Sequence, residues 1–133
     1  MPEPLLRIAA AQTAPVWLDR EATLAKVVAQ IDAAGAQRAK LVAFGECLVP
    51  GYPFWVERTD GARFGSDLQQ ALFAHYVDQA VDIEAGHLDT VAEAARRNQT
   101  AVVLGILERP AQRGESVYAS AVSIGADGKI RAV

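Results

Sequence analysis

One carboxylate in this chain stands where chemistry could use it. Glu46 ends the apolar run that starts at Leu41, and it is followed by Cys47, the single cysteine, and then by the aromatic segment Tyr52-Pro53-Phe54-Trp55. In α/β sheets, ligands bind beyond the carboxyl ends of the strands, where loops depart. A carboxylate placed there, walled by Tyr52, Phe54 and Trp55, would lose solvation and become a better general base near neutral pH. Tyr52 and Trp55 are then the expected pocket wall, and the rigid stretch "VPGYP" would hold it in place. The same residues also suit a structural role, with Glu46 capping a helix or pairing with an arginine while the aromatics fill core.

The other candidate groups fit chemistry less well. Successive strand side chains point to opposite faces, so a strand continuing through Glu46 would turn Cys47 away from the side that Glu46 serves, leaving it a small buried hydrophobe. Lys26, Lys40 and Lys129 fall on a helix, a strand start and a turn, as solvated charges. His75 and His87 lie on or beside different expected helices, with no Asp, Glu or Cys set at ligand spacing around them, so no metal is expected. The glycines match neither phosphate-loop nor dinucleotide spacing, and no cofactor is expected either.

The elements that must position Glu46 alternate in type. Leu5 to Ala11 reads as a buried strand ending at a Gln12-Thr13-Ala14-Pro15 break. Asp19 can cap a following helix whose apolar face is Leu24, Val27, Val28 and Ile31. Lys40 to Glu46 is too short and too apolar for a helix and predicts a strand buried on both faces. Strand, helix, strand is a parallel crossover unit. Ser66 and Gln69 suggest a capping box before a helix bearing Leu68, Leu72, Phe73 and Tyr76. A further helix is expected over Ala85 to Asn98, with Leu88, Val91, Ala92 and Ala95 inward. "TAVVLGIL" reads as another buried strand, and "VYASAVSIGADGKIRAV" as two strands joined around Asp127-Gly128. Asp60 to Ser66 and Pro110 to Glu115 read as exposed loops. The fold class is therefore α/β.

Composition bounds the function. The chain has 133 residues, 51% hydrophobic and 22% charged, which is a globular balance within one domain. Its 13 basic residues are scattered and the net charge is −3, which argues against nucleic-acid or anionic-membrane partners. No run approaches the ~18 apolar residues of a membrane span, and no secretory signal is visible. A single cysteine makes no internal disulfide, in keeping with a cytoplasmic location.

The blocks in order resemble the nitrilase, or carbon-nitrogen hydrolase, superfamily. "RIAAAQTAPVWLDREATLAKV" is similar to that family's opening strand and helix, "LVAFGECLVPGYPFW" to its first catalytic block, "VVLGILER" to its next core strand, and "VYASAVSIGADGKI" to the hairpin ahead of its second catalytic block. The "PGYPFW" form resembles the nitrilase branch more than the amidase branch. The resemblance implies the N-terminal part of an α-β-β-α sandwich, with residues 1–133 forming the first portion of the hydrolase domain. It also implies a Glu-Lys-Cys mechanism on a nitrile or amide substrate and a homo-oligomer, with Glu46 as the catalytic glutamate and general base. Two departures stand out. The chain ends at "KIRAV", before the family's lysine and cysteine blocks, and Ala119 stands where asparagine is usual. The 133 residues are thus expected to be inactive alone and to associate, either with a missing C-terminal half or with further copies. The competing expectations are a non-catalytic truncated homologue acting as a binding or assembly module, an amidase-branch hydrolase, and an unrelated flavodoxin-like domain.

Overall fold

The structure is a computed structural model that describes residues 5–61 and 63–133. It runs β1 (Ile8–Ala11), α1 (Arg20–Ala36), β2 (Leu41–Phe44), α2 (Trp55–Arg58), α3 (Asp67–Asp78), α4 (Asp89–Asn98), β3 (Ala101–Glu108), β4 (Tyr118–Ile124) and β5 (Ile130–Ala132). The strands form one sheet in chain order, β1-β2-β3-β4-β5. β1, β2 and β3 are mutually parallel, while β3-β4 and β4-β5 are antiparallel. The expected crossover unit and the final hairpin are both present.

Local signals set most boundaries. The Asp19 side chain accepts from the Ala22 N–H at 2.9 Å and opens α1, and Ser66 caps α3 through the Gln69 N–H. The capping box is only half made, because the Gln69 amide donates to Thr59 instead of returning to Ser66. β1 begins at Ile8 rather than Leu5, since β2 offers its first partner, Leu41, only there. Leu5 and Leu6 are left exposed. α4 begins at Asp89 rather than Ala85: Gly86 adopts φ +81°, a left-handed conformation that interrupts a helix, and turns occupy the residues before it.

Register decides what each face does. Val42 and Phe44 of β2, Val102, Leu104 and Ile106 of β3, and Val122 and Ile124 of β4 share one face with Leu24, Val27 and Ile31 of α1 and with Val91, Ala94 and Ala95 of α4. That layer is the main core. β2 was expected to be buried on both faces, but it alternates: Leu41 and Ala43 are only half-buried, on a face where Ile8 is 63% exposed. A smaller cluster of Trp55, Tyr76, Ala80 and Leu107 closes the end of the sheet beneath α2 and α3.

Candidate active site

β2 stops at Phe44, and the chain turns through Gly45, Glu46, Cys47 and Leu48 before rejoining the sheet. Val49 forms an isolated parallel bridge with Ile106; its N–H donates to the Gly105 carbonyl at 3.4 Å and its carbonyl accepts from the Leu107 N–H at 2.8 Å. Glu46 therefore sits on the crown of a short excursion between β2 and β3, and it is exposed; the loss of solvation expected for it is not found in these residues, because the turn lifts it clear of the aromatic wall. A helix-capping role is absent: among the described residues its carboxylate makes no ion pair, and each helix N-terminus with a side-chain cap is served by another residue.

Glu46 stands where two concavities meet. A cleft of about 660 Å³ lies over the carboxyl ends of β1 and β2, between Gln12–Pro15 on one side and Trp17, Tyr52 and Phe54 on the other. A smaller hollow of about 270 Å³ lies on the open sheet face, among Val103, Gly105, Ala119 and Ala121. Phe44 and Glu46 line both. A group entering from the open face and a ligand in the cleft would meet at this carboxylate.

The cleft wall is framed by three donors on three consecutive carbonyls. Pro50 accepts from the Leu18 N–H at 3.0 Å, Gly51 from the Tyr76 hydroxyl at 2.9 Å, and Tyr52 from the Trp17 indole N–H at 3.2 Å. Phe54 then packs edge-on to Trp17, with ring centroids 5.8 Å apart, and against Tyr52 at 5.1 Å. The expected rigidity of "VPGYP" thus comes from distant donors as well as from its prolines.

The structure separates the sequence candidates. Tyr52 lines the cleft with Glu46, but Trp55 does not. Trp55 is buried against Tyr76, with centroids 5.8 Å apart, because it opens α2, where each successive side chain turns by about 100° around the helix axis. Phe54 faces the cleft and Trp55 faces the smaller core. The cleft residue that sequence reading missed is Trp17. No local signal marks it, since its partners lie more than thirty positions along the chain.

Cys47 is buried, as expected, although not for the reason of strand alternation, since β2 has already ended. Its backbone takes φ +47°, and its thiol lies 4.0 Å from the Ile106 carbonyl. Burial pushes its pKa up, and the neighbouring Glu46 charge pushes it further, so the thiol keeps its proton at neutral pH. Lys26 donates to the Ala14 carbonyl at the cleft rim. His75 meets the Leu18 carbonyl, and His87 accepts from the Asp82 N–H. Among the described residues, no group of His, Cys, Asp and Glu is disposed to hold a metal ion.

A family model, Carbon-nitrogen hydrolase, matches residues 7–133. The chain belongs to the carbon-nitrogen hydrolase family. It is 36% identical over 125 residues to an arylacetonitrilase of Aspergillus kawachii, a match covering 94% of this chain and 35% of that protein. It is 37% identical over 127 residues to an aliphatic nitrilase of Rhodococcus rhodochrous, covering 93% and 32%, and 32% identical over 126 residues to a cyanide hydratase of Armillaria gallica, covering 93% and 33%. The chain thus spans about a third of the length of these relatives. Among solved structures, an amidase from Nesterenkonia sp. superposes with a TM-score of 0.62 at 19% identity, over 96% of this chain and 41% of that one. The C. elegans NitFhit protein does so with a TM-score of 0.65 at 18% identity, over 96% and 28%. The fold of a nitrilase-superfamily hydrolase is therefore shared over nearly all of these residues.

Proposed function

We propose that these residues supply the general base and one cleft wall of a nitrilase, a hydrolase that converts a nitrile to a carboxylic acid and ammonia. The observation that carries this reading is the position of Glu46 at the junction of an aromatic cleft and an open hollow. A nitrile carbon is attacked by a thiolate, and a thiolate requires a base to take its proton. Glu46 is that base. A cysteine and a lysine carried outside residues 1–133 approach across the hollow lined by Gly105 and Ala121, while the organic part of the nitrile lies against Tyr52. Two waters enter and ammonia leaves for each nitrile consumed. The names of the curated relatives favour a nitrile over an amide substrate, and an α-β-β-α sandwich assembled into a homo-oligomer completes the reading.

Nothing in the chain replaces the missing thiolate. Cys47 is buried against the Ile106 carbonyl with its proton held, so the 133 residues alone should release no ammonia. In the complete gene product, Glu46→Gln should lower ammonia release from phenylacetonitrile by at least ~10³-fold while leaving the thermal melt unchanged, a size set by removal of both general-base and thiolate-generating roles. Turnover within a few-fold of the parent would remove Glu46 from the mechanism.

A further inference from the structure

The turn that carries Glu46 passes in backbone contact over one glycine of the neighbouring strand. A Cβ built on Gly105 would stand 2.1 Å from the Gly45 carbonyl oxygen, 2.8 Å from the Glu46 Cα and 2.9 Å from the Cys47 N. All three are backbone atoms, so no side chain can swing aside to make room. Gly105 has no left-handed φ of its own, so any cost of adding a methyl there comes from this contact and not from its dihedral angles. The turn is fastened on both sides of the contact: β2 pairs with β3 up to Ala43↔Val103, and Val49 rejoins β3 by its hydrogen bonds to Gly105 and Leu107. Between those two fixed points the closeness of Gly105 sets how near the turn lies to β3.

We propose that Gly105 is a positioning residue for the reaction: its missing side chain seats the Gly45–Cys47 turn on β3 and so fixes the Glu46 carboxylate between cleft and hollow. This rests on the reading of Glu46 as general base. A methyl at Gly105 requires the Gly45 carbonyl to retreat by at least about 1.3 Å to reach ordinary van der Waals distance, and a displacement of about 1 Å or more at a catalytic group costs on the order of 10²-fold in rate. The substrate wall stays in place, because its three donors, Leu18, Tyr76 and Trp17, lie on other segments.

The test uses the complete gene product with phenylacetonitrile. Gly105→Ala should fold, lose kcat by roughly 10- to 100-fold and keep KM within about threefold. Gly35→Ala is the control, since a Cβ there would also meet a close neighbour, the Asn98 side chain at 2.3 Å, but Gly35 lies between two helices away from the site. It should lower the melting temperature and leave kcat at the parent value. If Gly105→Ala does not purify as a folded protein, the double variant Gly105→Ala/Cys47→Gly, in which a glycine at φ +47° lets the turn retreat without backbone strain, takes its place and must show the same loss in kcat at constant KM. A parent-like kcat in whichever variant folds overturns the positioning role. Glu46→Gln, measured in parallel, separates the two readings: an active Glu46→Gln overturns the general-base assignment, whereas an inactive one beside an active Gly105→Ala overturns only the role of Gly105.

Discussion

The Tyr76 hydroxyl donates to the Gly51 carbonyl, and the pair is buried beneath the wall that carries Tyr52. Burial pushes the phenol pKa above the ordinary tyrosine value, and the charges of Cys47 and Tyr52 push it further. In the unfolded chain the phenol titrates near pH ~10, whereas the folded protein holds its proton to higher pH. Above the unfolded value the folded state therefore binds more protons, and stability falls as pH rises. The contribution is whole below the unfolded value and is lost as pH climbs toward the folded one. The raised Cys47 thiol acts in the same direction. Tyr76→Phe should cost about 1–2 kcal/mol at neutral pH, because the Gly51 carbonyl loses its donor, and it should flatten the alkaline decline. Melting curves from about pH 7 to 11 test this; equal alkaline slopes in the two proteins would refute it. Glu46 and Tyr52 were legible in the sequence because their placement depends on a local event, the end of an apolar strand. Tyr76, Trp17 and Gly105 were not, because each acts through a partner more than twenty positions away. A sequence shows that a tyrosine lies on an apolar helical face, but not which carbonyl its hydroxyl will meet.

At the scale of elements, α1 and α4 pack closely enough that Gly35 touches Asn98. A Cβ on Gly35 would lie 2.3 Å from the Asn98 Oδ1, and Asn98 is not free to move, since its amide donates to Asp32 at 2.6 Å and to the Ala94 carbonyl at 2.9 Å. Asp32 also accepts two hydrogen bonds from the Arg97 Nη2, at 2.7 and 2.8 Å, which lower its pKa and tie the same two helices together. Helix propensity alone would make Gly35→Ala stabilising by about 1 kcal/mol. The contact should reverse the sign and give a loss of about 1–3 kcal/mol. Adding Asn98→Ala removes the obstacle, so Gly35→Ala in that background should become neutral or stabilising, and a double-mutant cycle by denaturant unfolding reads the coupling. Additive effects would show that the contact carries no energy. Both helices were legible from their apolar spacing and from Asp19, but their close approach was not. In a sequence, Gly35 reads as a weak point in α1; only the crossing of the two helices makes it a packing site. α2 was missed because four residues are too few to show a period.

At the scale of the whole molecule, the alternation of elements gave the α/β class, the parallel crossover and the final hairpin, because those follow from burial period and turn chemistry. The arrangement of layers required coordinates. α1 and α4 cover one face of the sheet, while the other presents Ile8, Ala10, Leu41, Ala43, Val103 and Ala121, joined in register across β1 to β4. Ile8 is 63% exposed, and Ile130 and Val133 at the far edge are 39% and 58% exposed. A sheet in water gains free energy by covering such a face, at about 25 cal/mol for each Å² of apolar surface removed, and the outer edge of β5 carries backbone donors and acceptors that pair readily with another strand. The polypeptide of residues 1–133 should therefore associate. Its weight-average mass in sedimentation should rise with concentration, and substituting Ile8 and Val103 by lysine should shift the distribution toward monomer while the helical circular dichroism is kept, since neither residue belongs to the main core. A species of 14.2 kDa at every concentration, unfolding in one cooperative step, would mean that α1 and α4 suffice to stabilise the sheet and that its second face is stable in water.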